Sequence, residues 1–545
     1  MTAACTADIS GVGKGTSGPP GGTAGSTGVG GAGVGGSGSG VSPTALLGPS
    51  LRLLTETQYR ATLRTLFTFA DELQLDLEDD VALNGLRAIG TSNIALSAKA
   101  TEAYVHAAEL AAERGFGTAE NALATAGCDV AQQACADTYL ADVGRRAFRR
   151  SLTAEERTRF VGIYQAGVSK LGAGNIGMKY AVMALLTSPH FLYRVELGQP
   201  TPGGPSARSL TDVEAASKLA YFLWNAPPDK ELLDLAEAGG LKQPGALAAQ
   251  AARLLAAGSI SQGMDALFDD YINLTDLAGV EKLPSRFPGF TPSLLSAMRQ
   301  ETIMTLSQAA LGTGDFRSVY NSTKTFVNGE LAQHYGITGV TGDQFVQADL
   351  PAASGRRGLL GHASILSLYA HASVSSPTLR GKFIRQILMC QAIPAPPPDV
   401  DTTLPDESEA KTARERLTIH NTVPSCAGCH KLMDPIGLGL ENFDAIGAYR
   451  AQDNGENIDA SGDLDGVSFT GSAGLADALA QSPAVPACLA RNVFRYAWGR
   501  LETQADEAFI TELTSGFQGS SYQVRQLFSS LVAAPSFVNV GELDP

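Results

Sequence analysis

The sequence predicts a mainly α-helical protein with few short strands. Runs that alternate apolar and polar residues are scarce, and Gly and Pro residues separate the helical stretches. Three capping-box patterns each precede apolar residues at helical spacing. The paired positions are Thr55 with Gln58, Thr153 with Glu156 and Thr211 with Glu214. These observations together favour a multi-helical body.

Helical periodicity continues along the chain beyond residue 50. The helix that opens at Thr211 carries Leu219, Phe222 and Trp224, and Pro227 ends it. Ser468-Phe469-Thr470 and its neighbours are the best candidate for a short hairpin. Further helices are predicted over 97–115, 174–188, 229–238, 245–256, 292–311, 379–391, 472–481, 484–500 and 522–534.

Length and composition indicate a globular protein of several domains. The chain has 545 residues, of which 44% are hydrophobic, enough for about three or four domain-sized units. The net charge of −15 excludes a role that depends on neutralising nucleic-acid phosphates. No run of about 18 apolar residues occurs, so the sequence predicts no membrane-spanning helix.

Breaks in composition divide the chain into five predicted segments. They are a lipoprotein-like, disordered Gly/Ser-rich leash at 1–45, an N-terminal helical domain at 46–200, a second helical domain at 205–340, a haem-motif (CAGCH) domain at 350–465 and a C-terminal helical domain at 466–545.

The first 45 residues have the character of a tether. Residues 11–42 contain fifteen glycines, no aromatic residue and only Lys14 as a charge, which is typical of a flexible linker. Small residues directly before Cys5 are similar to the end of a bacterial lipoprotein signal, so Cys5 is a candidate for lipidation. An ordinary exposed cysteine in a tail is the alternative.

Cys426-Ala427-Gly428-Cys429-His430 is the most specific motif in the chain. Cys-x-x-Cys-His is the sequence at which one haem c is bound covalently through two thioethers and ligated by the histidine. His430 is therefore the predicted proximal axial ligand. The alternatives are a redox-active cysteine pair, a partial zinc site or a chance match.

Four further cysteines are candidates for disulfides. The close spacing within CDVAQQAC permits a small loop, and a second bridge would join the segments on either side of the haem motif. The sequence does not fix the connectivity, and buried free thiols are the alternative. The candidates are Cys128, Cys135, Cys390 and Cys488.

The run HNTVPSCAGCHKLMDPIGLGLENFDAIGAYR at 420–450 closely resembles the haem-motif domain of the planctomycete cytochrome-c-associated proteins, which combine several adjacent domains of unknown function. Other segments resemble neighbouring domains of that family in the same order. They include GRRAFRRSLTAEE at 144–156, KLAYFLWNAPPDKELLDLAEAG at 218–239, SSPTLRGKFIR at 375–385 and FRYAWGRL at 494–501. The resemblance implies a cytochrome-c-like, haem-bearing region in the C-terminal part of the chain.

The sequence does not determine the sixth ligand of the iron. No methionine follows Met433, which lies one helical turn after His430 and is expected to pack beside the porphyrin on the proximal side. His420 and His371 are the candidate distal ligands. An open distal site that binds oxygen or peroxide is the alternative.

Carboxylates near the motif suggest two further roles. Asp434 and Glu441 are expected to cap helices and to order the His430 imidazole through its second nitrogen. The acidic run DNGENIDASGDLDG at 453–466 makes calcium a weak possibility, because its spacing departs from the calcium-loop pattern at the twelfth position. Solvated turns are the favoured interpretation of that run.

Three functional hypotheses follow. The first is an extracytoplasmic c-type haem protein, in the periplasm or at a bacterial cell surface, that transfers electrons or serves as the haem module of an oxidoreductase. The second is a haem enzyme that acts on peroxide or oxygen at an open distal site. The third is a non-haem, surface-anchored binding protein. A redox partner protein is expected for the first, and a lipid anchor would provide the contact with a membrane.

Overall fold

The computed structural model describes residues 50–200, 208–394, 410–422 and 424–541. Within these ranges the fold is mainly helical with few short strands, as the sequence predicts. Cys5 and the leash at 1–45 lie outside the described residues, as do the side chains of His420 and Cys426. None of the described helices has both the length and the apolar character needed to cross a membrane.

The described residues of the N-terminal part form eight α-helices and a pair of strands. The strands β1 (Ser50–Leu53) and β2 (Tyr193–Glu196) pair antiparallel. The helices are α1 (Glu56–Leu66), α2 (Arg87–Asn93), α3 (Ala98–Phe116), α4 (Ala119–Ala126), α5 (Gln133–Phe148), α6 (Ala154–Leu171), α7 (Gly174–Leu186) and α8 (Pro189–Leu192).

In the central part, the described residues form nine α-helices and four short strands. The strands are β3 (Gln199–Pro200), β4 (Arg208–Ser209), β5 (Lys324–Val327) and β6 (Val346–Asp349). The helices are α9 (Asp212–Trp224), α10 (Lys230–Glu237), α11 (Ala246–Ala256), α12 (Ile260–Tyr271), α13 (Pro292–Leu311), α14 (Ser318–Asn321), α15 (Gly329–Tyr335), α16 (Gly358–Gly361) and α17 (Ala363–Leu368).

The C-terminal part contains the Cys-x-x-Cys-His motif and ends in a helical layer. Its helices are α18 (Pro377–Phe383), α19 (Ala413–His420), α20 (Pro424–Gly437), α21 (Gly471–Gln481), α22 (Ala484–Trp498), α23 (Glu507–Gly519) and α24 (Val524–Ala533). Its strands are β7 (Gln452–Asp453), β8 (Glu456–Asn457), β9 (Ser461–Leu464), β10 (Val467–Thr470) and β11 (Asn539–Val540).

The strands form small antiparallel sheets. The pairs are β1–β2, β5–β6, β7–β8 and β9–β10, and β4 lies between β3 and β11. The β9–β10 pair is the hairpin predicted around Ser468-Phe469-Thr470. Because Asn539 of β11 pairs with Ser209 of β4, the C-terminal end of the described chain is joined to the start of the central part.

Three clusters of buried apolar side chains make up the core. One lies within the N-terminal helices and includes Tyr59, Phe116 and Leu185. The largest extends from α9 through α13 and α18 to α22–α24, and a smaller one surrounds Met298 and Leu331. The central and C-terminal parts therefore share one core.

All three predicted capping boxes are present. The side chains of Thr55, Thr153 and Thr211 each accept a hydrogen bond from the backbone of the residue three positions on, and that residue's side chain accepts one in return. These reciprocal bonds satisfy backbone donors that a helix start leaves without intrahelical partners. The beginnings of α1, α6 and α9 follow from them.

The predicted helix over 379–391 is wrong at both ends. Its α-helical part, α18, begins at Pro377, with Ser376 as the N-cap, and it passes into a π-helical turn over Ile384–Leu388. Cys390 lies beyond that turn with φ +52°, a left-handed conformation that cannot continue a helix.

Candidate functional site

A groove of about 790 Å³ lies beside the helix that carries the Cys-x-x-Cys-His motif. Three elements enclose it: α19, α20 and the β9–β10 hairpin. Its lining combines apolar and polar side chains, and its size is that of a typical ligand site. The lining residues include Arg414, Leu417, Thr418, His430, Lys431, Pro435, Leu438, Ser461, Gly462 and Phe469.

Close contact with α18 holds α20 in place. A Cβ atom added to Gly381 would lie 2.0 Å from the carbonyl oxygen of Met433, and one added to Gly437 would lie 1.8 Å from that of Pro377. Only glycine permits such close approach of two helix backbones. Arg385 adds a hydrogen bond of 2.9 Å from its Nε to the carbonyl oxygen of Leu432.

His430 is oriented by a buried carboxylate on its own helix. Its Nδ1 lies 2.9 Å from Oδ2 of Asp434, one helical turn on. Asp434 is 3% exposed and also accepts hydrogen bonds from Thr378 Oγ1 at 2.8 Å and Asn421 Nδ2 at 3.3 Å. The prediction that Asp434 orders the imidazole through one ring nitrogen is confirmed.

A histidine held by a carboxylate in this way has the arrangement that many metal-ligating histidines share. Metal-ligating histidines donate one ring N–H to a carboxylate, which fixes the ring and raises the basicity of the nitrogen that binds the metal. In His430 the nitrogen bonded to the carboxylate is Nδ1. A metal would therefore bind at Nε2, and the ring borders a groove large enough for a sizeable cofactor.

Glu441 has a different role from the one predicted. It does not contact His430; its carboxylate accepts from Ser375 Oγ at 2.8 Å and pairs with Arg380 and Arg450 at 3.5 and 3.0 Å. Arg380 also donates to backbone carbonyls on both sides of this carboxylate. This buried ion-pair group stabilises the turn that follows α20.

The described cysteines separate into bridged and unbridged residues. Disulfides join Cys128 to Cys135 and Cys390 to Cys488, as the sequence suggests. Cys429, by contrast, is a half-buried thiol whose Sγ lies 3.6 Å from the carbonyl oxygen of Pro394. A reduced Cys429 next to an oriented His430 fits the donor set of a c-type haem.

The other predicted iron-site residues lie outside the groove or outside the described structure. Met433 is buried in the packing against α18 and is not among the described residues that line the groove. His371 is exposed, and its carbonyl oxygen accepts a hydrogen bond from Lys282 Nζ at 3.0 Å. The side chain of His420 lies outside the described structure. These ligand assignments stay predictions.

The acidic run at 453–466 is engaged with basic side chains. Asp453 pairs with Arg450 at 2.7 Å, and Glu456 pairs with Lys411 at the same distance. Across the described ranges, no group of three or more His, Cys, Asp or Glu side chains could hold a metal ion. The run forms the β7–β8 and β9–β10 turns.

Sequence reasoning missed the residues that support His430 from other elements. Thr378 and Asn421 hold Asp434, and Gly381 and Gly437 allow α18 and α20 to approach each other. Asn421 stands close to the motif, but nothing in one sequence shows which distant threonine or glycine faces a given helix. The only local signal was Asp434 itself, four residues after His430.

Five families described as proteins of unknown function match successive parts of this chain. They are DUF1587 at 52–117, DUF1595 at 135–196, DUF1592 at 210–337, DUF1588 at 356–453 and DUF1585 at 465–537.

This order of domains is the architecture of a planctomycete cytochrome-c-associated family. The DUF1588 match includes α19 and α20, whereas the β9–β10 hairpin that completes the groove lies beyond its end at residue 453. No curated protein and no solved structure matches the chain.

Proposed function

We propose that this protein is an extracytoplasmic c-type haem protein that transfers electrons, either as a carrier or as the haem module of an oxidoreductase. The observation that carries the proposal is the His430–Asp434 pair at the edge of the groove, on the helix that contains the reduced Cys429. The cytochrome-c-associated domains matched around the site support it.

The chain's own residues have the chemistry to hold a haem. Cys429 and Cys426 would form the two thioethers, each by addition of S–H across a vinyl group, and His430 would be the proximal ligand. Asp434 would hold the imidazole in one orientation. The apolar side chains of Leu417, Leu438 and Phe469 would exclude water from one side of the macrocycle. A bound haem would supply a one-electron redox couple.

Other features support an extracytoplasmic location. Disulfides persist in oxidising compartments, and two are present in the described chain. Haem attachment to a Cys-x-x-Cys-His motif takes place in the same kind of compartment. Lipid anchoring through Cys5 and a redox partner protein complete the proposal.

The test is a pyridine haemochrome assay on the full chain, expressed with a haem-attachment system. We expect covalent haem in the parent. In Cys429→Ala the haem should be absent or attached through a single thioether. A Cys128→Ala/Cys135→Ala double variant serves as the matched control, because it removes two cysteines of the N-terminal part and keeps the haem. Absence of covalent haem from the parent would refute the proposal and favour the surface-binding protein.

A second candidate is a haem enzyme acting on oxygen or peroxide. Among the described residues that line the groove, His430 is the only histidine, and none is a methionine. This candidate requires a distal position open to small ligands. Carbon monoxide distinguishes the two candidates: a spectrum that changes when the reduced protein meets the gas indicates an open site, and one that does not indicates a closed electron carrier.

A further inference from the structure

A group of buried charges lies where β1 and β2 meet α9 and α22, in a part of the molecule that the haem proposal does not use. Arg52, Arg194, Lys218 and Glu196 are each no more than 5% exposed. Arg52 and Arg194 are directly opposite each other in the antiparallel β1–β2 pair. Three cations and one carboxylate leave an excess of buried positive charge.

The carboxylate does not neutralise this excess. Glu196 lies 3.4 Å from Lys218, 3.6 Å from Arg52 and 3.9 Å from Arg194, so all three cations share it. Lys218 is further stabilised by the rings of Trp498 and Phe537, whose centroids lie 5.2 and 5.1 Å from its Nζ.

The two arginines differ in the hydrogen bonds that their side chains make. Arg52 donates to Ser92 Oγ at 2.9 Å and to the carbonyl oxygen of Ala497 at 2.8 Å. Burial, followed by the charge of Arg194, lowers the pKa of Arg52 to about 9. Because the site destabilises its own cations in this way, binding of an anion would stabilise it.

The side chain of Arg194 has no hydrogen bond to any described residue, although its backbone pairs with that of Arg52. Its Nε is buried without a partner, and its guanidinium has only the distant Glu196 and the ring of Tyr221, 5.5 Å away. A buried guanidinium normally makes hydrogen bonds with its five N–H groups. A buried donor without a hydrogen bond destabilises the folded protein. Something other than these protein groups is needed to accept from Arg194.

A small cavity is lined by both arginines. It has a volume of about 10 Å³, the space of a single water-sized occupant. Arg52, Arg194, Gln58 and Tyr496 line it, and no carboxylate is among its described lining residues. The cavity thus combines positive charge and hydrogen-bond donors with too little room for a polyatomic anion.

We propose that the cavity lined by Arg52 and Arg194 binds a monatomic inorganic anion of the halide class. The ion would accept hydrogen bonds from Arg194 and offset the excess charge of the cluster. A neutral water would satisfy the donors but leave that charge in place. Such a site would make the stability of the β1–β2 junction depend on the anion present.

The direct test uses crystals of the full chain soaked in sodium bromide. We expect an anomalous peak in the cavity, within hydrogen-bond distance of Arg194. A water at that position, with no anomalous signal while bromide occupies other sites in the same crystal, would overturn the proposal.

Thermal unfolding gives an independent test. At equal ionic strength, sodium chloride is expected to raise the Tm of the parent by a few degrees over sodium gluconate, and the increase should saturate. Arg194→Met should lose this difference. Arg114→Met, which removes an exposed arginine paired with Glu72, should keep it. An equal chloride response in all three proteins would contradict a site at Arg194, even if Arg194→Met were less stable than the parent.

Discussion

Two histidine–carboxylate pairs in this protein have opposite surroundings. His430 is 18% exposed in its side chain, borders the large groove and lies 2.9 Å from Asp434. His362 is fully buried, and its Nε2 lies 3.8 Å from Oε1 of Glu301 on α13. One histidine–carboxylate pair therefore lies beside open space and the other inside the core.

The buried pair belongs to a closed hydrogen-bond network. Thr302 Oγ1 lies 2.9 Å from Nδ1 of His362, and the hydroxyls of Thr325 and Tyr335 donate to Glu301 at 2.5 and 2.6 Å. Burial, with a smaller effect of Arg356, lowers the pKa of His362 to about 3, and burial raises the pKa of Glu301 to about 7. Both groups are neutral when folded at mildly acidic pH, so the pair serves packing and hydrogen bonding.

Access to open space, more than the residue pair itself, separates a candidate cofactor ligand from a core histidine. An imidazole at a groove can bind a metal, whereas one enclosed on all sides can only satisfy its neighbours. We therefore expect the two histidines to respond to mutation in different measurements.

The largest expected effect is a separation of haem binding from stability. His430→Ala should abolish proximal imidazole ligation, seen as loss of the parent haem spectrum, and should change the free energy of unfolding by about 1 kcal/mol. His362→Ala should keep the haem spectrum and lower the free energy of unfolding by about 3 kcal/mol, because it removes the imidazole that bonds to Thr302 and creates a cavity. Visible spectra and urea unfolding of both variants measure this.

Two results from the same variants would contradict this separation of haem binding from stability. Haem loss in His362→Ala at a denaturant concentration where the protein is folded would show that the buried network reaches the site. An unchanged spectrum in His430→Ala would remove His430 as the ligand. Either result would mean that exposure does not separate the two roles.

Much of the fold follows from local signals in the sequence. The helix starts after Thr55, Thr153 and Thr211 could be predicted because a capping box is complete within four residues. The β1–β2 pair could not, since its strands have four residues each and are separated by the whole N-terminal part. The π-helical turn before Cys390 was missed as well.

The site divides in the same way. Cys429, His430 and Asp434 lie within six residues on one helix, so their spacing alone predicts the donor set and its orienting carboxylate. The groove depends on α19 and on the hairpin that holds Phe469, whose positions relative to α20 are set by tertiary packing. From sequence, His362 was indistinguishable from the other histidines because nothing local reports its burial.

The two members of the buried pair should affect the pH dependence of stability in opposite directions. Between about pH 4.5 and 7, unfolding releases the proton that folded Glu301 retains, so this group lowers stability as the pH rises. His362 acts in the opposite direction: below its ordinary value of 6.5 the unfolded histidine gains a proton that the folded one does not, so stability falls as the pH falls. From about pH 4.5 to 6.5 the two effects offset each other.

Single variants should reveal each half of this balance. Relative to the parent, Glu301→Gln should gain about 1.4 kcal/mol of unfolding free energy per pH unit as the pH rises, and His362→Gln should lose about as much. Urea unfolding of the three proteins at several pH values from 4.5 to 6.5 gives the slopes. Parallel curves would show that Glu301 and His362 titrate in the folded protein much as they do in the unfolded chain.

The smallest expected effect tests the role of Asp434 in the His430–Asp434 pair. Asp434→Asn keeps the size of the side chain but replaces a charged acceptor with a neutral one, which makes the imidazole a weaker donor to iron. We expect the haem to remain covalently bound and its reduction potential to rise by about 60 mV, equivalent to a tenfold shift between the two redox states. Spectroelectrochemical titration measures this value.

Asp463→Asn provides the matched control for that shift. Asp463 also lines the groove, but its carboxylate accepts from the backbone N–H of Gly466 and does not contact His430. If loss of charge near the groove were enough, both variants would shift the potential equally. A shift confined to Asp434→Asn would instead require the hydrogen bond to Nδ1, the contact that distinguishes this carboxylate from Glu301, which lies beyond hydrogen-bond distance of its histidine.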